Sequence, residues 1–499
     1  MEIELKLLCE PAALRRIAGS AVLREAQRSA PMVRTLRSIY FDTPELALAR
    51  AGIALRVRRV GRRWIQTLKS GGGVDTGLHQ REEHEVPVRA PVPELDALPD
   101  TPAAAWLKDP ATRAALAPAF ETRFRRNART VEIHPGSFAE FAVDTGTIEA
   151  NGRTEPIHEL EIELVDGDPR HLYAFARRLL ADIDFRIGDV SKAERGFALL
   201  AGTAPAPGRG RAPVLDPGMG ATAMLRAIVN SCTAHLQANV TGVLAAEDPE
   251  YIHQARVAMR RLRSAFSVFR PVVPRESLGE IAVRFRDLAA ALGSARDWDV
   301  FHGETLPAIW TAFPGEAALA RVAEVTSPER DRARTLARAA LAPAVQTALM
   351  LDLAMLMEAT PWRGADEAGG TALAGRLLQR QYRRVRKAGR TADRSNDASL
   401  HALRIEIKKL RYALEFLSSL YPRKAVRGFA NAAAELQDIL GSLNDEAVTL
   451  RLLASIDVAD TQLSHGTGII RGFLHARAQA SLDRFETAWR RFSKTDPFW

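Results

Sequence analysis

Through the first third of the chain, apolar and charged residues alternate in short runs. In Glu2-Ile3-Glu4-Leu5-Lys6 every second position is charged, so on a strand the three charges project from one face while Ile3 and Leu5 project from the other. The same period of two recurs at 34–42, 53–60, 62–69, 80–88, 123–133, 138–144 and 158–165, and with residues 2–8 the pattern predicts eight strands. Residues 11–17 and 169–181 carry a helical period and flank the sheet. Residues 201–220, crowded with Pro, Gly and Ala and lacking an apolar period, read as a linker. Beyond them Ala, Leu and Arg dominate and apolar positions recur at three- and four-residue spacing, which predicts an almost wholly helical second half. The apolar stretch 336–357 is broken by Arg338 and Asp352 and reads as one buried helix rather than a membrane span.

The helical half contains a repeat. His253-Gln254-Ala255-Arg256, followed by Arg260, Arg261, Leu262 and Arg263, recurs as His401-Ala402-Leu403-Arg404, followed by Lys408, Lys409, Leu410 and Arg411. Leu292-Gly293-Ser294 with Asp297 recurs as Leu440-Gly441-Ser442 with Asp445. Both pairs are displaced by the same 148 positions, 253 to 401 and 297 to 445, so duplication into two related bundles that face each other is expected.

Composition narrows the partners. A chain of 499 residues holds at least two cores, and its net charge of +9 with a pI near 9.8 favours a polyanion. Cys9 and Cys232 lie far apart and read as buried apolar residues in a reducing compartment. No secretory pattern opens the sequence, so a cytoplasmic location is expected, with no membrane role.

Charge recurs on one face of nearly every strand: Arg56 with Arg58, Glu83 with Glu85, Arg123 with Arg125, and Glu159 with Glu161 and Glu163. If eight such strands close on themselves, those faces line a lumen, where buried charges of both signs need pairing, a metal or a charged ligand. Carboxylates suit Mg²⁺ or Mn²⁺, and Arg and Lys suit phosphate oxygens, so a tri- or polyphosphate with divalent cations satisfies both sets and hydrolysis of a phosphoanhydride is the expected reaction.

Glu2-x-Glu4-x-Lys6, Tyr40-Phe41-Asp42-Thr43-Pro44, Leu55-Arg56-Val57-Arg58, Lys69, Arg81-x-Glu83-x-Glu85, Glu159/Glu161/Glu163 and Ser191-Lys192-Ala193-Glu194-Arg195-Gly196 together resemble the CYTH family of triphosphate tunnel metalloenzymes. The resemblance implies an α+β fold, an eight-stranded antiparallel β-barrel with flanking helices, over residues 1–200. It implies Glu2, Glu4, Glu161 and Glu163 as metal ligands, and Lys6, Arg56, Arg58, Lys69, Arg125 and Lys192 as phosphate contacts, with Glu2, Glu4 and Lys6 carrying the catalysis. Inorganic triphosphatases, thiamine triphosphatases and class IV adenylate cyclases all belong to that family.

On a helix His253, Arg256, Arg260 and Arg263 form one stripe, and His401, Arg404, Lys408 and Arg411 form its copy. Arg261 and Lys409 add charge beside the stripes, while Asp297 and Asp445 either orient the arginines or cap helices. A linear polyanion fits between two such stripes, and with no aromatic platform beside them sequence-specific nucleic-acid binding is not expected. The motif resembles the CHAD family, which implies an all-α polyphosphate-binding domain over 221–495 after the 201–220 linker. The order of the two halves is similar to bacterial inorganic triphosphatases. The expected function is therefore metal-dependent hydrolysis of tripolyphosphate to diphosphate and phosphate by a protein docked on polyphosphate or its granules. A cyclase, a thiamine triphosphatase and a non-catalytic polyphosphate scaffold are the alternatives.

Overall fold

A computed structural model describes residues 2–273, 275–358, 369–394, 396–456 and 460–499. The chain divides into two compact units, Met1–Ala206 with Pro343–Ala359, and Pro207–Ala342 with Thr360–Trp499.

The first unit is built on β1 (Glu2–Leu8), β2 (Met32–Asp42), β3 (Ala54–Val60), β4 (Arg63–Asp75), β5 (Leu78–Val88), β6 (Ala117–His134), β7 (Ser137–Ala150), β8 (Arg153–Asp166) and the short β9 (Arg186–Ile187). Their order is β5-β4-β3-β2-β6-β7-β8-β1-β9, every pairing is antiparallel, and β1 also pairs with β5. The eight expected strands thus close into a ring. Six of them, β2 and β4 to β8, are longer than their alternation suggested, and two-residue turns extend the β4–β5 and β7–β8 hairpins. Asn151 and Gly152 both take positive φ between Ala150 and Arg153, and Thr76 and Gly77 do the same between Asp75 and Leu78.

Alternation places the apolar faces of β2, β3 and β4 outward. Phe41, Leu55, Val57 and Leu68 form a core with Leu48 and Ala103, leaving Arg56 and Arg58 on the opposite face. A second core gathers Leu36, Tyr40, Phe120, Phe124, Ile148, Ile157 and Phe197, with Tyr40 stacked on Phe120 at 4.4 Å and Phe120 edge-on to Phe197 at 5.0 Å. Phe197 belongs to the helix Lys192–Ala201, which begins with a capping box between Ser191 and Glu194. Gly196 lets that helix approach, since a Cβ there would lie 2.1 Å from the Phe120 ring.

The stretch 336–357, expected to be one helix, is two. The helix Ala317–Ala340 ends, and Pro343 starts the helix Pro343–Glu358, which joins the first unit instead of the helical one. There Thr347 donates to the Phe185 carbonyl at 2.9 Å and Asp352 pairs with Arg177 of the helix Arg170–Leu179 at 2.9 Å. No single helix among the described residues is long and apolar enough to cross a membrane.

The second unit is helical. The helices carrying the two stripes, Pro249–Val268 and Asp397–Leu417, pack against each other. The segment expected to be a linker is irregular, but from Pro207 onward it belongs to this unit and is pinned: Gly208 donates to Asn239 at 3.0 Å and Leu215 is buried. Arg261 is fully buried and bonds the Arg211 carbonyl at 2.6 Å, Ser231 at 3.1 Å and Glu415 at 2.8 Å, so it secures the fold rather than adding surface charge.

Candidate functional site

Inside the ring, Glu2, Glu4, Lys6, Arg56, Arg58, Lys69, Glu161 and Lys192 line one cavity together with Tyr40, Arg81, Arg126 and Ser191. Buried Lys6 sits between Glu4 at 2.5 Å and Glu161 at 2.9 Å. Burial opposes its charge, but those two carboxylates outweigh burial and raise its pKa above the ordinary lysine value, so it is a fixed cation and no base. Lys192, at the first turn of its helix, reaches Glu159 at 2.5 Å, Glu161 at 2.8 Å and Asp144 at 2.9 Å. Lys69 bridges Glu2 at 2.6 Å and Glu83 at 2.8 Å, and Arg56 pairs with Glu83 at 3.1 Å.

Arg58 differs from its neighbours. Among the described residues it has no carboxylate partner, and its guanidinium donates to Ser38 at 3.1 Å. Burial, and then the adjacent Arg56, lower its pKa to about 10. Tyr40 faces the same two arginines, which outweigh burial and lower its pKa.

Arg125 is corrected. It lines a separate outer cleft with Leu14, Asn127 and Arg129, whereas Arg126 lines the lumen and bonds Asp144 at 2.7 Å and Glu161. Phe120, Thr122 and Phe124 are buried, and Arg126 continues their period of two, so these apolar residues set the strand's phase. Arg81 stands in the Arg81-x-Glu83-x-Glu85 motif with no assigned role, and Asp144 ends the alternating run 138–144. Arg81 ties the lumen to the capping box through Glu194 at 3.2 Å, and Asp144 is wholly buried.

The four carboxylates implied as metal ligands are not alike. Glu2, Glu4 and Glu161 are paired with protein cations, and Glu161 takes three of them, Lys6, Arg126 and Lys192. Glu163 stands opposite Glu4 in the β1–β8 register. Burial first, then Glu2, Glu4 and Glu140, raise its pKa to about 7. Among the described residues no group of three or more His, Cys, Asp and Glu side chains is arranged to hold a metal ion.

In the helical unit the two stripes meet in part. Burial, then Arg404, Arg260 and Arg256, against the opposing pull of Asp445, lower the pKa of Lys408 to about 7, so four cations from two helices share one locus. Arg256 is held by Asp297 at 2.6 Å, and both Asp297 and Asp445 lie within helices, which leaves them the orienting role over capping. The Nε atoms of Arg260 and Arg404 are buried without a hydrogen-bond partner among the described residues. Of the other stripe residues, Arg263 is exposed, Arg411 shares a cleft with Arg260, and exposed His401 lines a cavity with Arg404 and donates from Nδ1 to Asn444 Oδ1 at 3.0 Å. His253 is half-buried, and burial followed by Arg296 lowers its pKa. Cys9 and Cys232 are free, buried and pushed by burial to a pKa of about 12.

A closed ring of strands with a charged lumen, followed by a helical unit with a cationic locus, defines a two-domain class. Residues 1–197 match the CYTH domain and residues 227–454 the CHAD domain, so the chain belongs to the proteins that carry a CYTH domain followed by a CHAD domain. The inorganic triphosphatase of Haemophilus influenzae is 32% identical over 169 residues, which are 33% of this chain and 46% of that protein, less than half its length. An uncharacterized protein of Mycobacterium tuberculosis is 27% identical over 518 residues, covering 95% of this chain and 92% of its own. The crystal structure of the CHAD domain from the plant Ricinus communis is 32% identical with a TM-score of 0.51, covering 57% of this chain and 97% of that one.

Proposed function

We propose that the first unit hydrolyses inorganic tripolyphosphate, with water cleaving one phosphoanhydride to give diphosphate and phosphate, while the helical unit binds polyphosphate and docks the protein on long chains or granules in the cytoplasm. The observation that carries the reading is Arg58, a lumen cation without a carboxylate partner among the described residues, crowded by Arg56. Phosphate oxygens relieve that crowding through charge-assisted hydrogen bonds. Lys6, Lys69, Arg126 and Lys192 extend the positive lining, and Lys6 stays protonated to neutralise charge on the transferring group.

Glu2, Glu4 and Glu163 are not preformed as a metal site, and Glu2 and Glu4 would have to leave Lys69 and Lys6 to hold a divalent cation with Glu163. Their oxygens suit Mg²⁺ or Mn²⁺, and the mutual repulsion that helps raise the pKa of Glu163 is what such a cation offsets. When bound, the cation polarises phosphoryl oxygens and acidifies water. The CYTH match and the Haemophilus relative, named an inorganic triphosphatase, support the chemistry.

Phosphate release from tripolyphosphate, ATP and thiamine triphosphate, each with Mg²⁺, Mn²⁺ or chelator, tests this. Metal-dependent release from tripolyphosphate is expected, and Glu2→Ala or Glu4→Ala should abolish it while polyphosphate binding persists. Cyclic AMP formed from ATP would replace the reading with a cyclase. No release from any substrate by a folded protein that binds polyphosphate would leave a scaffold.

A further inference from the structure

The helix Gly370–Thr391 carries seven Arg and Lys residues and no Asp or Glu. Its apolar side is consumed by packing: Leu377, Leu378, Tyr382 and Val385 are buried, and the Tyr382 ring meets Phe429 and Phe492 at 5.6 and 5.9 Å. The seventh cation, Arg386, is tied back by bonds to the Ser493 carbonyl at 2.7 Å and the Tyr382 hydroxyl at 3.1 Å. The remaining six, Arg376, Arg380, Arg383, Arg384, Lys387 and Arg390, fall within an arc of about 120° and run for roughly 21 Å along the axis at helical geometry. Among the described residues none of the six is paired with a carboxylate. An unpaired row of like charges lowers helix stability, so the sequence maintains it against its own fold.

The row connects to the cationic locus. Arg256 and Arg260 of that locus lie on the helix Pro249–Val268, exposed Arg263 continues their stripe, and exposed Arg270 follows just beyond the helix end. Burial, then Arg384 and Arg270, lower the pKa of Arg380, which sets Arg270 beside the row. Cations therefore lead from the locus between the two stripe helices to the outer helix.

We propose that the outer row is a second polyphosphate contact, which takes the part of a long chain that runs out of the central locus and so makes the helical unit select for chain length. The proposal rests on the central locus binding polyphosphate. The chemistry of the face favours this occupant. The helix's other exposed residues, Thr371, Ala372 and Thr391, are polar or small, leaving no large apolar side chain to enter a bilayer, and the arc holds no aromatic ring on which a base would stack. Guanidinium groups bind phosphate oxygens in pairs and tolerate a repeating, featureless chain.

The test uses the full chain carrying Arg376→Glu, Arg383→Glu and Lys387→Glu together, all exposed positions, with circular dichroism to establish that it folds. Binding of long-chain polyphosphate and of tripolyphosphate-length chains is measured by calorimetry across a salt series. The expected result is long-chain affinity at least roughly ten-fold weaker and a salt slope smaller by about two, with short-chain binding unchanged. A long-chain affinity that does not move overturns the proposal. So does duplex DNA whose binding depends on the row when that of polyphosphate does not, which would assign the face to nucleic acid. A wild-type chain that binds polyphosphate of no length overturns the reading of the central locus itself, and the outer contact with it.

Discussion

Arg126 bonds Asp144, which is wholly buried, and Glu161, which is nearly so. Removing one member of a buried ion pair leaves charge that neither water nor a neighbour fully satisfies, at a cost of about 3 kcal/mol. Arg126→Ala should therefore lower stability by that order and weaken tripolyphosphate turnover, whereas Arg125→Ala on the outer cleft should stay within about 0.5 kcal/mol and leave turnover intact. Chemical denaturation with parallel phosphate-release assays checks both, and equal effects would refute the assigned strand phase. The two residues are adjacent, so charge alternation alone allows either to face the lumen. Phe120 and Phe124 carried the deciding signal, because a large apolar pair at even spacing anchors a strand more firmly than an arginine does. Arg56, Arg58 and Glu161 were legible without such help, since apolar residues alternate with each of them along its strand. The pairing of Glu161 with three cations was not, because it depends on which strands become neighbours.

Elements add constraints that no single residue carries. The helix Lys192–Ala201 delivers Lys192 to the lumen and Phe197 to the apolar cluster around Phe120, and Gly196 sets its distance from that ring. Gly196→Ala forces an overlap that the stacked rings do not absorb, so a loss of about 1–3 kcal/mol is expected, with slower turnover as Lys192 shifts and unchanged polyphosphate binding by the helical unit. A lowered thermal midpoint measured beside both assays tests this. In the helical unit, packing of the two stripe helices brings the pKa of Lys408 to about 7, from an ordinary lysine value of 10.5. Below about pH 7 Lys408 is charged, and above it the group is increasingly neutral, while a bound polyanion favours the charged form. Binding at about pH 8 should therefore take up protons, and affinity should fall as pH rises through and beyond 7. Calorimetry in buffers of different ionisation enthalpy reads the uptake. Lys408→Arg should keep the affinity and abolish the uptake, and an uptake that survives this change would assign the proton elsewhere. The repeat made the facing of these helices legible, but that Arg411 shares a cleft with Arg260 while Arg263 stays exposed came only with their packing.

For the whole molecule, the first unit is not one stretch of sequence. The composition change near residue 200 marks where the strand-rich region ends, and it reveals nothing of the later return, because a helix that packs on a distant partner looks like any other helix in a helical half. The helix Pro343–Glu358 buries Leu349, Met350, Leu351 and Leu353, and the first unit holds it through the helix Arg170–Leu179 and β9. Burying each such side chain contributes about 1.5–3 kcal/mol, so the helix accounts for a substantial part of the stability of a domain held by about 5–15 kcal/mol. A fragment ending at Ala206 keeps every lumen residue named above and loses this cover. It should bind and cleave tripolyphosphate with the same metal requirement when freshly prepared, but melt earlier and aggregate through the uncovered face. A second fragment in which residues 343–358 are joined to the end of residues 1–206 by a flexible Gly-Ser linker should recover most of the loss, because the cost of closing a loop rises only slowly with its length. Thermal melts and light scattering of the two fragments and the full chain make the comparison. Equal melting of the two fragments would show that the helix is borne by the first unit without stabilising it, while rescue by the linked helix would define the catalytic unit as residues 1–206 with 343–358.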